Sequence, residues 1–285
     1  SLLRPFIFSL DPEAAHDLAI KSLKVNIIPK NFFDVEDENL LETDIFNKQI
    51  PNPIGLAAGF DKSGEVYNSL FKFGFGFIEI GTVTPKRQLG NPKPRIFRLQ
   101  EDEALINRLG FNNFGAENIS SRIRSIKPNG LLGINIGPNS DTKDRLNDYL
   151  ICIKKFHDIA DYITINISSP NTTDLRKFHN QKKLNDLLKN IEKEKENLSS
   201  KVPIVVKVSP DISANEIDEL SQVILSNDVK GIIVSNTSDA TRESLINIQK
   251  HQKGGLSGKP ITTKSTKLIN RFYKLLKGRV KIIGV

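Results

Sequence analysis

The sequence predicts an α/β fold, and within that class a (β/α)₈ TIM barrel preceded by a small helical segment. From about residue 50 onward, short apolar runs alternate with longer amphipathic stretches, as expected when parallel strands buried on both faces alternate with crossover helices. All but the last of these runs end in a polar or glycine-rich segment, which suits a barrel mouth. A doubly wound sheet would concentrate such segments at one switch point, and no GxGxxG motif follows a predicted strand.

Each apolar run has the length of one strand, and each amphipathic stretch has the length of one helix. The strands are predicted at Ile54–Ala58, Phe77–Val83, Leu131–Ile136, Tyr162–Ile167, Val202–Val208, Gly231–Ser235 and Val280–Val285. The helices between them are predicted at Glu65–Phe73, Phe114–Ile126, Leu146–Ala160, Lys182–Leu198, Asn215–Ser226 and Thr266–Leu276. Asp211 and Ser213 are suitable caps for the helix near Asn215, because their side chains accept hydrogen bonds from free N–H groups of a first turn.

The start of the chain departs from this alternation, and residues 1–38 are predicted to form a helical unit ahead of a barrel at residues 39–285. The stretch DPEAAHDLAIKSLK is amphipathic. Asp11 is expected to cap this helix, with Pro12 at the first position, where its missing N–H costs no hydrogen bond. Leu40–Ile50 is expected to form a small hairpin that closes the bottom of the barrel. The apolar face of the helix is modest and consists of Ala15, Leu18, Ala19 and Leu23.

Composition restricts the class of protein. With 285 residues, 38% hydrophobic and 26% charged, the chain fits a globular protein of one large domain or two ordinary ones. It has no apolar run near the roughly 18 residues that cross a bilayer, no secretory signal and no transit sequence rich in Arg and Ser. One cysteine, Cys152, excludes an internal disulfide and fits a reducing compartment. The net charge of +8 is spread along the chain on solvated helix faces, which argues against nucleic-acid binding, and weak attraction to anionic lipid is expected only together with an apolar anchor.

Amide and hydroxyl side chains follow several predicted strands. NISSPNT, residues 166–172, comes directly after a strand, Asn107 lies in INRLGFNN, and Asn236 lies in SNT. Because Asn, Ser and Pro also favour ordinary turns, NISSPNT alone fits a turn as well as a site. Together with Asn166 and Asn171, these amides would converge above the barrel and suit a planar polar ligand. The sequence has no HExxH, no Cys or His pair and no paired Asp, so no metal is predicted.

Two lysines lie near the predicted mouth. Lys62 follows AAGFD, and Lys207 lies within the apolar run VPIVVKV. A lysine inside an apolar strand is costly unless an anion pairs with it, although its ammonium can also extend to solvent. We interpret Lys207 as a functional cation. GGLSG, residues 254–258, offers backbone amides to a phosphate, and its place between the last two predicted strands fits the phosphate sites of barrels.

These motifs together resemble those of class 2 dihydroorotate dehydrogenases. NPIGLAAGFDKSGE, GFGFIEIGTVTP, GNPKPRIFR, INRLGFNN, GINIG, NISSPNT, KVSPD, SNT, GGLSGKP and RVKIIGV occur in the family's order with similar spacing, from about Asp11 to Val285. The resemblance implies an FMN-dependent oxidation of dihydroorotate to orotate in pyrimidine synthesis. In that reaction a base takes a proton from C5, a hydride passes from C6 to N5 of FMN, and a membrane quinone receives the electrons.

The resemblance also assigns roles by motif position. Ser169 matches the catalytic base, and serine rather than cysteine there indicates class 2, while Cys152 lies on a predicted helix. Thr172 and a water near Phe111 match the proton relay. Orotate contacts are implied for Lys62, Asn107, Arg108, Leu109, Gly110, Phe111, Asn166, Asn171, Asn236 and Thr237. FMN contacts are implied for Ala58, Gly59, Thr82, Asn135, Asn166, Lys207, Ser235 and Gly258.

For the N-terminal helices, the resemblance implies a quinone entrance and peripheral attachment to a membrane. His16 and Arg95 match the polar end of the quinone tunnel, although His16 taken alone is more simply a solvated helix residue. Since no transit peptide is present, the cytoplasmic face of a bacterial inner membrane is expected rather than a mitochondrial membrane.

Some positions depart from the family pattern. Ser235 stands where threonine is usual, Pro138 replaces a common lysine, and Thr173-Asp174 replaces a common Pro-Gly after Ser169. The chain is also expected to end before the eighth strand, which in the family supplies part of the phosphate site. Two alternatives stay open: a class 1-like enzyme with a soluble acceptor, and a catalytically incomplete fragment that only binds a membrane or partners.

Overall fold

A curled parallel sheet forms the centre of the molecule. The computed structural model describes residues 4–25, 38–171, 175–240 and 242–285. In chain order, the strands within those ranges are β1 (Thr43–Ile45), β2 (Lys48–Ile50), β3 (Gly55–Leu56), β4 (Phe77–Val83), β5 (Ile96–Leu99), β6 (Ala104–Asn107), β7 (Leu131–Ile136), β8 (Tyr162–Asn166), β9 (Ile204–Val208), β10 (Val229–Val234), β11 (Gly255–Gly258) and β12 (Lys281–Gly284).

The order of strands in the central sheet distinguishes a (β/α)₈ barrel from a doubly wound sheet, the two architectures compared from the sequence. Over the described ranges this sheet has seven strands, paired in the order β3, β4, β7, β8, β9, β10 and β12, and all pairs are parallel. Each strand therefore lies beside the next one along the chain, and the order never reverses as it would at a switch point. The barrel-type prediction is confirmed, and all the carboxyl ends of these strands lie at one edge.

Helices cover the outside of this sheet. In chain order they are α1 (Arg4–Ser9), α2 (Pro12–Lys24), α3 (Glu38–Leu41), α4 (Tyr67–Phe71), α5 (Ala116–Ser125), α6 (Arg145–Phe156), α7 (Gln181–Asn197), α8 (Ala214–Ser226) and α9 (Thr262–Leu276). Short 3₁₀ helices span Leu175–His179, Ile248–His251 and Lys259–Ile261. Apolar side chains at helical spacing form one buried face of each main helix, as in α6, where these are Tyr149, Cys152, Ile153 and Phe156.

The bounds of two elements, β9 and α9, differ from the sequence prediction. β9 begins at Ile204 rather than Val202, because Pro203 has no N–H to donate; its carbonyl still accepts from Ile163 N at 2.9 Å. α9 begins at Thr262 rather than Thr266. Its first turn is polar and lacks the apolar spacing that marks a helix, so the pattern did not reveal it.

The predicted hairpin is confirmed and covers the amino-terminal ends of the barrel strands. β1 and β2 pair antiparallel around Phe46 and Asn47, both of which have positive φ angles, as a type I′ turn requires. The ring of Phe46 packs on Tyr162 inside the barrel, with 5.3 Å between centroids. Ile45 and Ile50 complete this small apolar cluster, so the end of the barrel opposite the predicted mouth is closed by side chains.

Helix α2 forms as predicted and is held against the barrel. Asp11 Oδ1 accepts from Glu13 N and Ala14 N, both at 3.0 Å, and Pro12 occupies the first position. Its buried face differs in part from the expected one: Leu23 packs against the core as expected, but Leu18 is 45% exposed and Ile20 packs against the core as well. In the described part of the chain, no helix combines the length and apolarity needed to span a membrane.

A second, antiparallel sheet lies beside the mouth and was missed by the sequence analysis. It has three strands over the described residues, in the order β11, β6, β5, and it joins GGLSG, INRLGFNN and GNPKPRIFR. Asn107 pairs with Gly255 in β11 on one side and with Ile96 in β5 on the other. The sheet therefore fixes Asn107 at the edge of the site, and its strands are too short to show a clear alternating pattern.

Candidate active site

A cavity of about 800 Å³ lies at the carboxyl ends of the barrel strands, a size typical of small-molecule and cofactor sites. Loops after the strands supply its walls, because in a parallel barrel every strand ends at the same face. Most of the residues singled out from the sequence line it together: Ala58, Gly59, Lys62, Thr82, Asn107, Leu109, Gly110, Phe111, Asn166, Ser169, Asn171, Lys207, Ser235, Asn236, Thr237 and Gly258.

The other residues from the sequence analysis lie elsewhere. Asn135 is buried beneath the cavity floor on β7. The side chain of Arg108 points away from the cavity: it donates to Gln252 Oε1 at 2.9 Å and stacks on Phe97. Thr172 falls outside the described residues. His16 and Arg95 do not line the cavity and are described below with α2.

Ser169 lies on the loop after β8 and is 5% exposed. Its Oγ accepts a hydrogen bond from Asn171 N at 3.2 Å, and Asn171 Nδ2 donates to the carbonyl of Asn107 at 3.2 Å. Arg176 Nε donates to Ser168 O at 3.3 Å and the same guanidinium pairs with Asp211. The hydroxyl is therefore aimed from within its own loop, and Asn107 and Arg176 hold that loop in place.

The Lys62 ammonium is the cavity cation nearest to helix α2. Burial lowers the pKa of Lys62 to about 8, while the Glu13 carboxylate opposes this shift. His16 Nε2 lies 3.3 Å from Lys62 Nζ, and burial together with this ammonium lowers the pKa of His16. At neutral pH, Lys62 is thus mostly charged beside a mostly neutral imidazole.

Glu13 and Arg95 form a buried pair that ties α2 to the loop before β5. Arg95 Nη2 lies 2.6 Å from Glu13 Oε1, and Arg95 Nε donates to Glu13 Oε2 at 3.0 Å. Arg95 also donates to the carbonyls of Leu89 and Asn91. Although burial alone would raise it, the pKa of Glu13 is lowered by Arg95 and Lys93. Glu13 was not singled out from the sequence, where it reads as ordinary first-turn charge.

Lys207 enters the cavity from β9, where it is buried between valines. Burial lowers its pKa, and the nearby Glu79 carboxylate opposes the shift. Within the described part of the chain, its ammonium forms no hydrogen bond or salt bridge. A buried cation in this position favours an anionic or electron-rich ligand in the cavity.

The start of α9 forms one wall that the sequence analysis missed. Thr262, Ser265 and Thr266 line the cavity with Ser257 and Lys259. Gly258 precedes this helix at a φ of +97°, and a Cβ there would lie 2.4 Å from the carbonyl oxygen of Glu103. Free N–H groups at a helix start, next to a glycine-rich loop, favour a phosphate. The signal in the sequence was GGLSG followed by a run of Ser and Thr.

Comparison with known proteins places this geometry in a family. The sequence profile described as dihydroorotate dehydrogenase matches residues 40–285. The dihydroorotate dehydrogenase (quinone) of Bartonella tribocorum is 46% identical over 287 residues, covering 99% of this chain and 79% of the relative. The dihydroorotate dehydrogenase (quinone) of Actinobacillus pleuropneumoniae serotype 5b is 43% identical over 297 residues, covering 100% of this chain and 86% of the relative.

Comparison with solved structures indicates the same family. The crystal structure of dihydroorotate dehydrogenase from Eimeria tenella, in complex with ferulenol, superposes with a TM-score of 0.91 at 37% identity. The match covers 96% of this chain and 79% of the other. Because the profile spans most of the chain and the relatives match nearly its full length, this chain belongs to the dihydroorotate dehydrogenase family.

Proposed function

We propose that this protein oxidises dihydroorotate to orotate with FMN as hydride acceptor and a membrane quinone as final electron acceptor, as a step of pyrimidine synthesis. The observation that carries the proposal is the position of Ser169, which shares one cavity with Lys62, Lys207 and several amide side chains. A base, an anion-binding cation and planar hydrogen-bonding groups are the parts that this reaction needs.

The residues present fit FMN. The unpaired ammonium of Lys207 suits the electron-rich ring of a flavin, and its positive charge would stabilise the reduced form. The glycine loop and the start of α9 suit a phosphate. When bound, FMN supplies the acceptor for the hydride. The residues proposed to hold it are Ala58, Gly59, Thr82, Asn135, Asn166, Lys207, Ser235 and Gly258.

The substrate is a small ring that carries a carboxylate and amide edges. Lys62 would pair with the carboxylate, and amide side chains would read the ring edges, since an amide both donates and accepts. Asn107 at the end of β6, Asn171 after β8 and Asn236 after β10 line the same cavity. The backbone of Leu109 and Gly110 lines the cavity as well, whereas the side chain of Arg108 serves to fix this loop.

In the proposed reaction Ser169 takes the proton from C5 while the hydride leaves C6, so that the ring double bond of orotate forms. A neutral serine is a weak base, so the proton must be passed on. We assign the relay to Thr172 and to a water held near Phe111. The hydrogen bond from Asn171 N occupies one lone pair of the Ser169 oxygen and aims the hydroxyl.

An absorption spectrum of the purified protein tests the function directly. The protein is expected to carry the visible absorption of oxidised flavin, released as FMN on denaturation. Anaerobic addition of dihydroorotate should bleach this absorption, and added quinone should restore it. A protein that bleaches but is reoxidised only by fumarate or NAD would support the class 1-like alternative.

Binding of orotate is expected to weaken as pH rises above about 8, because Lys62 then loses its charge in the free protein. Below this pKa the ammonium is charged and the affinity should be constant. Above it, the dissociation constant should rise by up to about tenfold per pH unit. Titration of bound flavin absorption with orotate, between about pH 7 and pH 9, measures this. The Lys62→Met variant should bind orotate weakly, with a dissociation constant that does not change over this pH range. A dissociation constant independent of pH in the wild type would contradict the role of Lys62 in binding the carboxylate.

We also propose that residues 1–38 form the quinone entrance and attach the protein peripherally to the cytoplasmic face of a bacterial inner membrane. Apolar side chains of α1 and α2 are exposed, among them Ile7, Phe8 and Leu18. An amphipathic surface of this kind partitions into a membrane interface. His16 and Arg95 lie where α2 meets the barrel, between this surface and the cavity.

Replacing Glu13 by alanine is expected to slow reoxidation by long-chain quinone about tenfold, because it leaves Arg95 buried without its partner and loosens α2. Flavin reduction at saturating dihydroorotate should change by less than about twofold. Stopped-flow measurement of the two half-reactions separates these effects. Asp17→Ala removes an exposed carboxylate from the same helix and should leave both rates unchanged. Equal losses in the two half-reactions of the Glu13 variant would contradict a role for this end in quinone access.

A further inference from the structure

Glu79 is a buried carboxylate inside the barrel that the proposed reaction does not use. It lies on β4, one of the central strands, and is 3% exposed. Burying a charge is costly unless its hydrogen bonds are satisfied. Here both oxygens are used: Asn135 Nδ2 donates to Oε1 at 2.9 Å, and Thr164 Oγ1 donates to Oε2 at 2.7 Å.

An ionised carboxylate can only accept hydrogen bonds, and this restricts the amide above it. Asn135 must turn its Nδ2 toward Glu79, which leaves its Oδ1 facing the cavity side. That oxygen accepts from Thr82 Oγ1 at 2.6 Å and from Asn166 Nδ2 at 3.2 Å. Because the Thr82 hydroxyl donates to Asn135, its own oxygen is left to accept from Asn166 Nδ2, at 3.0 Å.

The hydrogen bonds keep this donor-to-acceptor direction up to the residues proposed to contact the substrate. With Nδ2 of Asn166 engaged below, its Oδ1 accepts from the hydroxyl of Ser168 at 3.0 Å. The oxygen of Ser168 in turn accepts from Asn236 Nδ2 at 2.8 Å. Every donor in this chain, from Asn236 to Asn135, thus points toward Glu79. Reversing any one amide would place two donors or two acceptors against each other.

We propose that Glu79 is a positioning residue whose carboxylate fixes the direction of this hydrogen-bond chain, and with it the orientation in which Asn135, Asn166 and Asn236 meet the flavin and the substrate. Its charge also opposes that of Lys207 next to the cavity, so it contributes to the reduction potential of the bound flavin. This inference rests on the proposed FMN site. Glu79 itself does not line the main cavity and acts through its neighbours.

Glu79→Gln tests the proposal, since glutamine keeps the volume but loses the charge and adds a donor. We expect FMN to bind about tenfold more weakly, as loss of one hydrogen bond to a charged group predicts. Removing the negative charge should also favour reduced over oxidised flavin by about tenfold more than in the wild type, a rise of about 30 mV for a two-electron couple. Reconstitution of apoprotein with FMN and anaerobic redox titration measure the two quantities.

Two further variants separate the parts of the proposal. Glu79→Asp keeps the charge but shortens the reach to Asn135, so FMN affinity should fall while the potential stays at the wild-type value. Ile163→Val changes a buried core residue on the same strand as Thr164 but leaves both hydrogen bonds of Glu79 in place, so it should change neither quantity. Thermal melts of all variants check folding, and the Asp variant alone carries the test if the Gln variant does not fold.

The outcomes are distinct. A Glu79→Gln protein with wild-type FMN affinity and wild-type potential would overturn the inference while leaving the proposed function intact. Equal effects of Ile163→Val would also overturn it, because a general disturbance of the core would then explain the result. A wild-type protein that neither contains nor binds FMN would overturn the proposed function and this inference with it.

Discussion

Replacing Ser169 by alanine is expected to slow the reduction of bound FMN by dihydroorotate by about 10²-fold or more, the usual contribution of a positioned general base. Ser169 is almost fully buried, lines the cavity and is aimed by Asn171 N. Lys62 and Lys207, which also line the cavity, are poor bases while they are charged. Cys152, the one thiol, is buried on α6, where burial raises its pKa. Anaerobic stopped-flow bleaching of the flavin measures the rate.

Two controls make this result specific to the base. FMN should remain bound to Ser169→Ala with wild-type stoichiometry, because the Ser169 side chain is not among the residues proposed to hold the cofactor. Ser169→Cys should restore part of the rate, with a pH profile displaced toward lower pH, since a thiol loses its proton several pH units below a hydroxyl. Bleaching of the alanine variant at wild-type speed would refute the assignment of Ser169.

Most of the fold was predictable because parallel strands buried on both faces have a strong signal in one sequence. β4 and β7 have the predicted bounds, and the hairpin and the start of α2 formed as expected. The three-stranded sheet was missed because its strands are four residues each, too short to show a clear alternation of apolar and polar residues. β11 is also far from the other two strands in the chain, and long-range pairing leaves no local pattern.

The site was predictable to the level of the loop, and less so to the level of the side chain. Residues that directly follow a barrel strand, such as Ser169 and Asn236, had to lie at the mouth. Arg108 shows the limit, since its neighbours line the cavity while its own side chain turns toward Gln252. Glu79 shows another limit. A carboxylate within an apolar run indicates a buried charge, but only the folded barrel brings Asn135 and Thr164 to it.

Lys207→Met is expected to weaken FMN binding by about 10- to 100-fold and to lower the reduction potential of whatever flavin remains bound. Methionine keeps the length and apolar stem of lysine in β9 but removes the buried positive charge. A charged contact in a buried site contributes roughly 1.5–3 kcal/mol, which corresponds to this range of affinity. The reduced flavin gains negative charge and depends on Lys207 more than the oxidised form does. Equilibrium reconstitution of apoprotein and anaerobic redox titration measure both effects.

The potential should thus move in opposite directions for the two buried charges, downward when Lys207 is neutralised and upward when Glu79 is. This opposition distinguishes an electrostatic role from loss of packing, because a disturbed core would move both variants the same way. Lys201→Met, an exposed lysine just before β9, controls for the loss of one positive charge and should leave affinity and potential unchanged. A Lys207→Met protein that binds FMN stoichiometrically, with wild-type affinity and potential, would contradict the placement of this ammonium against the flavin.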